Sequence, residues 1–143
     1  MSLYSVMLVD DEEEVIQIII KKLDWASMGF QIVGYAHNGA EALELAEECQ
    51  PDVVMTDIKM PYMDGLELSR RLKERYPSIR IIIFSGFDEF EYAKEAIRIE
   101  VEEYILKPID AGELQELFGR IKKSLDKEID EKRNIDKLQE YYM

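Results

Sequence analysis

The stretch V-M-L-V-D-D-E, residues 6–12, is the part of the sequence that decides the fold class. Its four apolar residues run without alternation, as in a parallel strand that is buried on both faces, and two acids follow at once. Short apolar runs of the same kind occupy residues 53–55, 81–84 and 104–106, with a weaker one at 31–35. We therefore predict five strands, the first of which ends on a pair of carboxylates.

Amphipathic helices are predicted between these strands, because apolar residues recur there at three- and four-residue spacing. Every predicted helix starts with one capping signal, an Asp or Asn followed three residues later by Glu. The pairs are Asp11/Glu14, Asn38/Glu41, Asp64/Glu67, Asp88/Glu91 and Asp110/Glu113. Five strands that alternate with five helices indicate an open α/β sheet with right-handed crossovers.

Composition excludes several classes of protein. The chain has 143 residues, 31 of them acidic and 18 basic, for a formal charge of −13, which argues against binding of nucleic acid by this chain. No apolar run approaches the roughly 20 residues of a membrane span, and no secretory signal is visible. The single cysteine and single histidine, Cys49 and His37, exclude a cysteine zinc cluster and a multi-histidine metal site. We expect a soluble, cytoplasmic domain that contacts no membrane.

The last part of the chain differs in character from the rest. We place one domain at residues 4–125 and a charged helical extension or linker at residues 126–143. A helical connector or dimer contact is the alternative, because Ile129, Ile135 and Leu138 continue an imperfect apolar stripe. The chain stops with neither a Gly cap nor a Pro stop, so we expect the natural protein to continue.

Polar side chains follow four of the predicted strands, at the edge where ligands bind in open α/β sheets. Asp10 and Asp11 follow the first strand, Asp57 the third, Ser85 the fourth and Lys107 the fifth. Carboxylates crowded together repel one another unless a cation intervenes, and Mg²⁺ binds such oxygen ligands. With Mg²⁺ bound, one carboxylate can attack phosphorus, while an ammonium and a hydroxyl compensate the charge on the phosphoryl oxygens.

Each of these residues also has a plainer interpretation. Asp11 is the predicted cap of a helix, Ser85 precedes a glycine in a loop, and Lys107 precedes a proline where a strand ends. Other phosphate chemistries fit poorly, since no G-x-x-x-x-G-K-[ST] or G-x-G-x-x-G loop follows a strand. An Asp-x-Asp phosphatase motif is absent too, because Ile58 and Lys59 follow Asp57.

Four segments together resemble a response-regulator receiver domain, the CheY-like domain of bacterial two-component systems. They are M-L-V-D-D-E (7–12), T-D-I-K-M-P-Y-M-D-G (56–65), F-S-G-F-D-E-F (84–90) and Y-I-L-K-P-I (104–109). The resemblance covers roughly residues 5–125. It implies a flavodoxin-like, five-stranded parallel sheet in the order 2-1-3-4-5, with five helices on both faces.

The resemblance also implies roles for the acidic residues. Asp57 would be the phosphoacceptor. Mg²⁺ would be bound directly by Asp11 and through water by Asp10, with Asp57 and the backbone carbonyl of Lys59 as further ligands.

The remaining implied roles concern the switch. Ser85 would turn its hydroxyl toward the phosphoryl group, Lys107 would pair with that group, and Tyr104 would change rotamer in response. Pro108 would follow a cis peptide bond. Phe87, two positions beyond Ser85, offers hydrolytic water no hydrogen bond, so we predict slow self-dephosphorylation.

The partners implied are a sensor histidine kinase, the protein's own output domain and, on phosphorylation, a second copy of the chain. The face of the fourth helix, fifth strand and fifth helix would change its affinity for them. Residues 23–30 and 87–97 resemble regulators with an AraC-type DNA-binding output domain, which is absent from these 143 residues. Two alternatives are a stand-alone receiver that acts by protein contact and a phosphatase with an aspartyl-phosphate intermediate.

Overall fold

A computed structural model describes residues 2–86 and 90–142, and its centre is one parallel sheet of five strands. The strands are β1 (Tyr4–Val9), β2 (Phe30–Ala36), β3 (Val53–Asp57), β4 (Arg80–Ser85) and β5 (Glu103–Leu106). Their order is β2-β1-β3-β4-β5, with every neighbouring pair parallel. Each strand contains its predicted apolar run. The strand order and the parallel pairing confirm the predicted flavodoxin-like fold.

Helices follow the strands in alternation, as the spacing of apolar residues predicted. They are α1 (Glu13–Lys22), α2 (Gly39–Cys49), α3 (Gly65–Arg75), α4 (Phe90–Ile99) and α5 (Ala111–Tyr142). None of the helices within residues 2–86 and 90–142 combines the length and hydropathy of a membrane span.

Three of the predicted helix caps are confirmed. In each, a side-chain oxygen accepts a hydrogen bond of 2.8 Å from the backbone N–H of the Glu three residues later, which satisfies one free donor of the first turn. These pairs are Asn38/Glu41, Asp64/Glu67 and Asp110/Glu113. The predicted cap at Asp88 lies outside the described residues.

The prediction that Asp11 caps the first helix is wrong. Helix α1 starts at Glu13, its N-cap residue is Glu12, and no side chain caps it. The carboxylate of Asp10 accepts a hydrogen bond from the backbone N–H of Glu12 at 2.8 Å instead. Because this tight turn follows β1 directly, the chain enters the helix later than the sequence pattern predicts, and the Asp11 side chain stays exposed.

The end of α1 is closed by a tryptophan. The indole N–H of Trp25 donates to the carbonyl oxygen of Ile20 at 3.1 Å and lies 3.4 Å from that of Ile19. These carbonyls belong to the last turn, where no helical partner is available. A single 3₁₀ turn at Ala26–Met28 follows and ends at Gly29, whose φ of 91° is in the left-handed region. The sequence pattern did not predict this turn.

The chain forms two compact units, residues 1–109 and 110–143. The first contains the sheet, α1 to α4 and a large apolar cluster on one face of the sheet. Strand β1 is buried on both faces of the sheet. Met7 and Val9 belong to that cluster, and Val6 and Leu8, which alternate with them along the strand and therefore point to the opposite face, are equally buried.

The second unit is helix α5, which runs unbroken from Ala111 to Tyr142. Its buried residues lie between Leu114 and Leu125, and residues 127–142 are exposed. The division of the chain at residues 125 and 126 stays a prediction.

Candidate functional site

The predicted site residues stand at the carboxyl-terminal edge of the sheet. Asp57 and Ser85 are the last residues of β3 and β4, and Asp10 and Lys107 directly follow β1 and β5. Because β1, β3, β4 and β5 are consecutive in the sheet, these four residues end neighbouring strands. The strand order therefore brings four polar residues that are far apart in the chain to the same edge of the sheet.

Lys107 joins two of the carboxylates. Its Nζ lies 3.5 Å from Oδ2 of Asp10 and 3.4 Å from Oδ2 of Asp57. The side chain of Asp10 is fully buried, that of Asp57 is 9% exposed and that of Lys107 is 25% exposed. The ammonium thus has one side toward two nearly dry carboxylates and another toward solvent, which is the position from which it can compensate an incoming anion.

The backbone of Lys107 is tied to the neighbouring strand. Its N–H donates to the carbonyl oxygen of Ser85 at 2.8 Å, which ties the end of β5 to the end of β4. The peptide bond between Lys107 and Pro108 is cis, as the family resemblance implied. The side-chain Nζ of Lys107 lies over the ring of the buried Phe84, 5.3 Å from the ring centroid. These contacts aim the lysine across the edge of the sheet.

Asp57 is held by the loop that follows it. Its Oδ1 accepts a hydrogen bond from the backbone N–H of Ile58 at 2.8 Å, and the carbonyl oxygen of Ile58 accepts one from Gly65 at 2.8 Å. Gly65 approaches so closely that a Cβ there would lie 1.9 Å from the carbonyl oxygen of Asp57. A side chain is therefore excluded at the start of α3, a requirement that no sequence spacing indicated.

Burial changes the acidity of Asp10. The pKa of this carboxyl is raised from 3.8 to about 6, chiefly by loss of hydration on burial and to a smaller extent by the negative charges of Asp57 and Asp11. The hydrogen bond from Glu12 and the positive charge of Lys107 act in the opposite direction without cancelling the rise. The buried carboxylate is consequently under-compensated in the protein alone, and an added cation would relieve it.

The donor set that could hold such a cation includes one residue that sequence reasoning missed. One ligand atom each from Asp10, Asp11 and Glu12 lies within 4.8 Å of the others. All three are carboxylates, the hard oxygen donors that Mg²⁺ prefers, so the residues fit that ion. The third acid was visible in the sequence as the end of V-M-L-V-D-D-E. Asp57 is not in this group of three and joins the site through Lys107.

The other predicted residues have less direct evidence. Ser85 is fully buried, and Tyr104 lies in β5 beside Ile83 of β4, partly buried against the core. The side chain of Lys59 reaches toward α4, where its Nζ is 5.8 Å from the ring centroid of Tyr92. Their roles in a switch and in metal binding stay predictions. Phe87 lies outside the described residues.

His37 has a structural partner near the site. Its Nε2 contacts a carboxylate oxygen of Glu13 at 2.5 Å, and this hydrogen bond raises the pKa of His37. The imidazole and Asp11 share the lining of an open cleft of about 510 Å³. Of the acidic residues, Asp11 lines this cleft, together with Gly39 and Ala40 of α2.

Comparison with known proteins gives a family match over most of the chain. The family described as "Response regulator receiver domain" matches residues 6–118. Among curated proteins, the chain is 41% identical over 125 residues to the transcriptional regulatory protein YesN of Bacillus subtilis, covering 85% of this chain and 34% of YesN. It is 33% identical over 123 residues to the transcriptional regulatory protein HptR of Staphylococcus aureus, covering 86% and 48% respectively. The chain thus spans a third to a half of these relatives.

Solved structures agree with this match. The REC domain of AraT, a response regulator from Geobacillus stearothermophilus, has 40% identity and a TM-score of 0.83, with 88% of this chain and 98% of that one covered. CheY of Borrelia burgdorferi, solved in a complex with CheX, BeF₃ and Mg²⁺, has 25% identity and a TM-score of 0.75, with coverage of 82% and 88%.

Proposed function

The chain belongs to the response-regulator receiver domain family, and on that premise we propose that Asp57 accepts a phosphoryl group from a partner histidine kinase. The observation that carries this proposal is the ammonium of Lys107 between two nearly dry carboxylates, 3.4 Å from Oδ2 of Asp57. Asp57 ends strand β3, and its side chain is the more exposed of the two, at 9% against 0% for Asp10. Asp10 is fully buried and is suited to compensate a cation instead.

The chemistry is a displacement at phosphorus. An oxygen of Asp57 forms a bond to phosphorus while the bond from phosphorus to the donor breaks, and the donor leaves with that electron pair. Lys107 compensates charge on the phosphoryl oxygens, which reduces the repulsion between an anionic nucleophile and an anionic donor. The Ile58 N–H holds the other carboxylate oxygen. The product is the phosphorylated domain itself, so each protein molecule takes up one phosphoryl group, and we propose a phosphoacceptor and not an enzyme that turns over substrate.

We propose Mg²⁺ as the cofactor. Asp11 would bind it directly and Asp10 through water, with Asp57 and the backbone carbonyl of Lys59 as further protein ligands. These residues would hold the ion, which would supply positive charge to balance the carboxylates and, because Mg²⁺ keeps several waters, a position for a phosphoryl oxygen. Support comes from Asp10 and Asp11, whose carboxylate oxygens lie within 4.8 Å of each other, and from the Mg²⁺ in the CheY complex.

The proposed output is a change in surface affinity. Ser85 would turn toward the phosphoryl group and Tyr104 would follow, altering the surface of α4 and β5. Both relatives named above are transcriptional regulatory proteins, and the chain covers less than half of each. We therefore propose control of transcription in the cytoplasm through an output domain outside these residues, of the AraC type on the resemblance, with a second copy as a candidate partner.

The test uses a small acyl phosphate, acetyl phosphate, as the donor. The protein is incubated with it and Mg²⁺ and followed by intact mass, beside Asp57→Asn and a sample with EDTA. We expect one added phosphoryl group in the wild type with Mg²⁺ and none in either control. An adduct that persists in Asp57→Asn would refute the assignment of the phosphoacceptor. Continuous hydrolysis of a phosphomonoester would favour the phosphatase alternative.

A further inference from the structure

The carbonyl oxygen of Asp57 is held from two directions. The hydroxyl of Thr56 donates a hydrogen bond to it at 2.9 Å. On another side the Cα of Gly65 packs so tightly that an added Cβ would lie 1.9 Å from the same oxygen. Thr56 is fully buried in β3 between Val9 of β1 and Ile83 of β4, so its hydroxyl cannot exchange this partner for water. This oxygen therefore has little freedom to move.

Fixing that oxygen also fixes the nucleophile. The carbonyl of Asp57 and the N–H of Ile58 belong to one planar peptide unit, so they rotate together. That N–H donates to Oδ1 of Asp57 at 2.8 Å, while Oδ2 faces Nζ of Lys107 at 3.4 Å. A rotation of the peptide unit would withdraw the N–H from Oδ1 and release the carboxylate from its orientation toward the lysine.

We propose that Thr56 is a positioning residue for the phosphoacceptor, whose hydroxyl orients the Asp57 carboxylate through the 57–58 peptide unit. The inference rests on the proposed function, because it concerns the rate at which Asp57 is phosphorylated. Thr56 touches neither donor nor metal, and it acts on the reaction by way of the backbone. A buried threonine that merely satisfies its own hydroxyl would affect stability but not that rate.

Three variants separate these roles. Thr56→Val removes the hydroxyl and keeps the shape, whereas Thr56→Ser keeps the hydroxyl and removes a methyl group. Ser69→Ala is the matched control, because the hydroxyl of Ser69 is also fully buried and donates to a backbone carbonyl, that of Gly65 at 2.6 Å, without touching Asp57. It reports what the loss of such a bond does to stability alone.

Two measurements are made on each variant. The first is the rate of phosphorylation by acetyl phosphate with Mg²⁺, followed by intact mass. The second is hydrogen exchange of the Ile58 amide in the metal-free protein, which requires no phosphorylation. Loss of a hydrogen bond with a net contribution of about 1 kcal/mol corresponds to roughly a fivefold change in a rate or an equilibrium constant. We expect Thr56→Val to slow phosphorylation and to speed exchange of the amide by about that factor, and Thr56→Ser to restore both. Ser69→Ala should leave both unchanged.

The outcomes keep this inference apart from the proposed function. If the wild type gains no phosphoryl group, the proposed function fails, and exchange of the Ile58 amide still tests the positioning role. Wild-type exchange in Thr56→Val, or wild-type phosphorylation in a variant that has lost the hydroxyl, would overturn the inference. The same holds if Thr56→Ser is as slow as Thr56→Val, since the methyl group and not the hydroxyl would then be responsible.

Discussion

Replacing Asp10 by Asn should stabilise the metal-free protein. The pKa of Asp10 is raised from 3.8 to about 6, chiefly by burial, and each pKa unit between the folded and the unfolded chain corresponds to about 1.36 kcal/mol. Ionised Asp10 therefore costs the fold about 3 kcal/mol near pH 7.5. Asn removes the charge, keeps an oxygen for the N–H of Glu12, and should recover about 2–3 kcal/mol of unfolding free energy.

The pH dependence of the unfolding free energy also tests whether buried Asp10 destabilises the fold. Between about pH 4 and 6 the folded chain binds more protons at Asp10 than the unfolded chain does, so the stability of the wild type rises as pH falls through that interval. The advantage of Asp10→Asn should therefore shrink from about 2–3 kcal/mol near pH 7.5 to about 0.5 kcal/mol or less near pH 4.

Urea unfolding in EDTA at several pH values measures this advantage. The control is Asp11→Asn, which removes an exposed carboxylate beside the buried one and should change stability by less than about 0.5 kcal/mol. Added Mg²⁺ should stabilise the wild type more than Asp10→Asn, because a cation bound to the folded state compensates the buried charge. Two results would refute the reasoning about the buried carboxylate. One is equal stability of Asp10→Asn and Asp11→Asn near pH 7.5, and the other is a stability advantage of Asp10→Asn over the wild type that does not change with pH.

Three further predictions concern the frame around the site. Gly65→Ala should lose about 1–3 kcal/mol of stability and slow phosphorylation, because its Cβ would lie 1.9 Å from the carbonyl oxygen of Asp57. Gly119→Ala, whose Cβ would meet nothing within 4 Å, should gain about 0.5–1 kcal/mol. Urea unfolding that ranks the two variants the other way would contradict the close approach at Gly65. Trp25→Phe should lose about 1 kcal/mol and speed hydrogen exchange in the last turn of α1, and unchanged exchange there would show that the indole N–H does not cap the helix. A double-mutant cycle of Arg70→Gln and Glu95→Gln should give a coupling of about 0.5 kcal/mol between α3 and α4, whose ion pair spans 2.7 Å, and zero coupling would show that solvent screens it.

Local patterns in the sequence predicted most of the secondary structure. The apolar runs predicted all five strands, most clearly β3 and β4, which are buried along almost their whole length, and less clearly the edge strand β2, where exposed positions interrupt the run. The caps at Asn38, Asp64 and Asp110 were predictable since donor and acceptor lie three residues apart. The cap at Asp11 failed because Asp10 competes for the backbone at the same turn. Trp25 closing the end of α1 follows no local pattern, since its position depends on how the chain folds back.

By itself, the sequence determined which polar groups stand at the ends of the strands: acids, a hydroxyl and an ammonium, since each residue type is a local property. Only the tertiary structure decided how these groups differ. Asp10 and Asp11 are neighbours in the chain, yet one is buried with a raised pKa and the other is exposed. Lys107 meets Asp57 and Asp10 because β1, β3, β4 and β5 are consecutive in the sheet. Burial and distance arise from packing of residues up to 97 positions apart, which spacing along the chain does not encode.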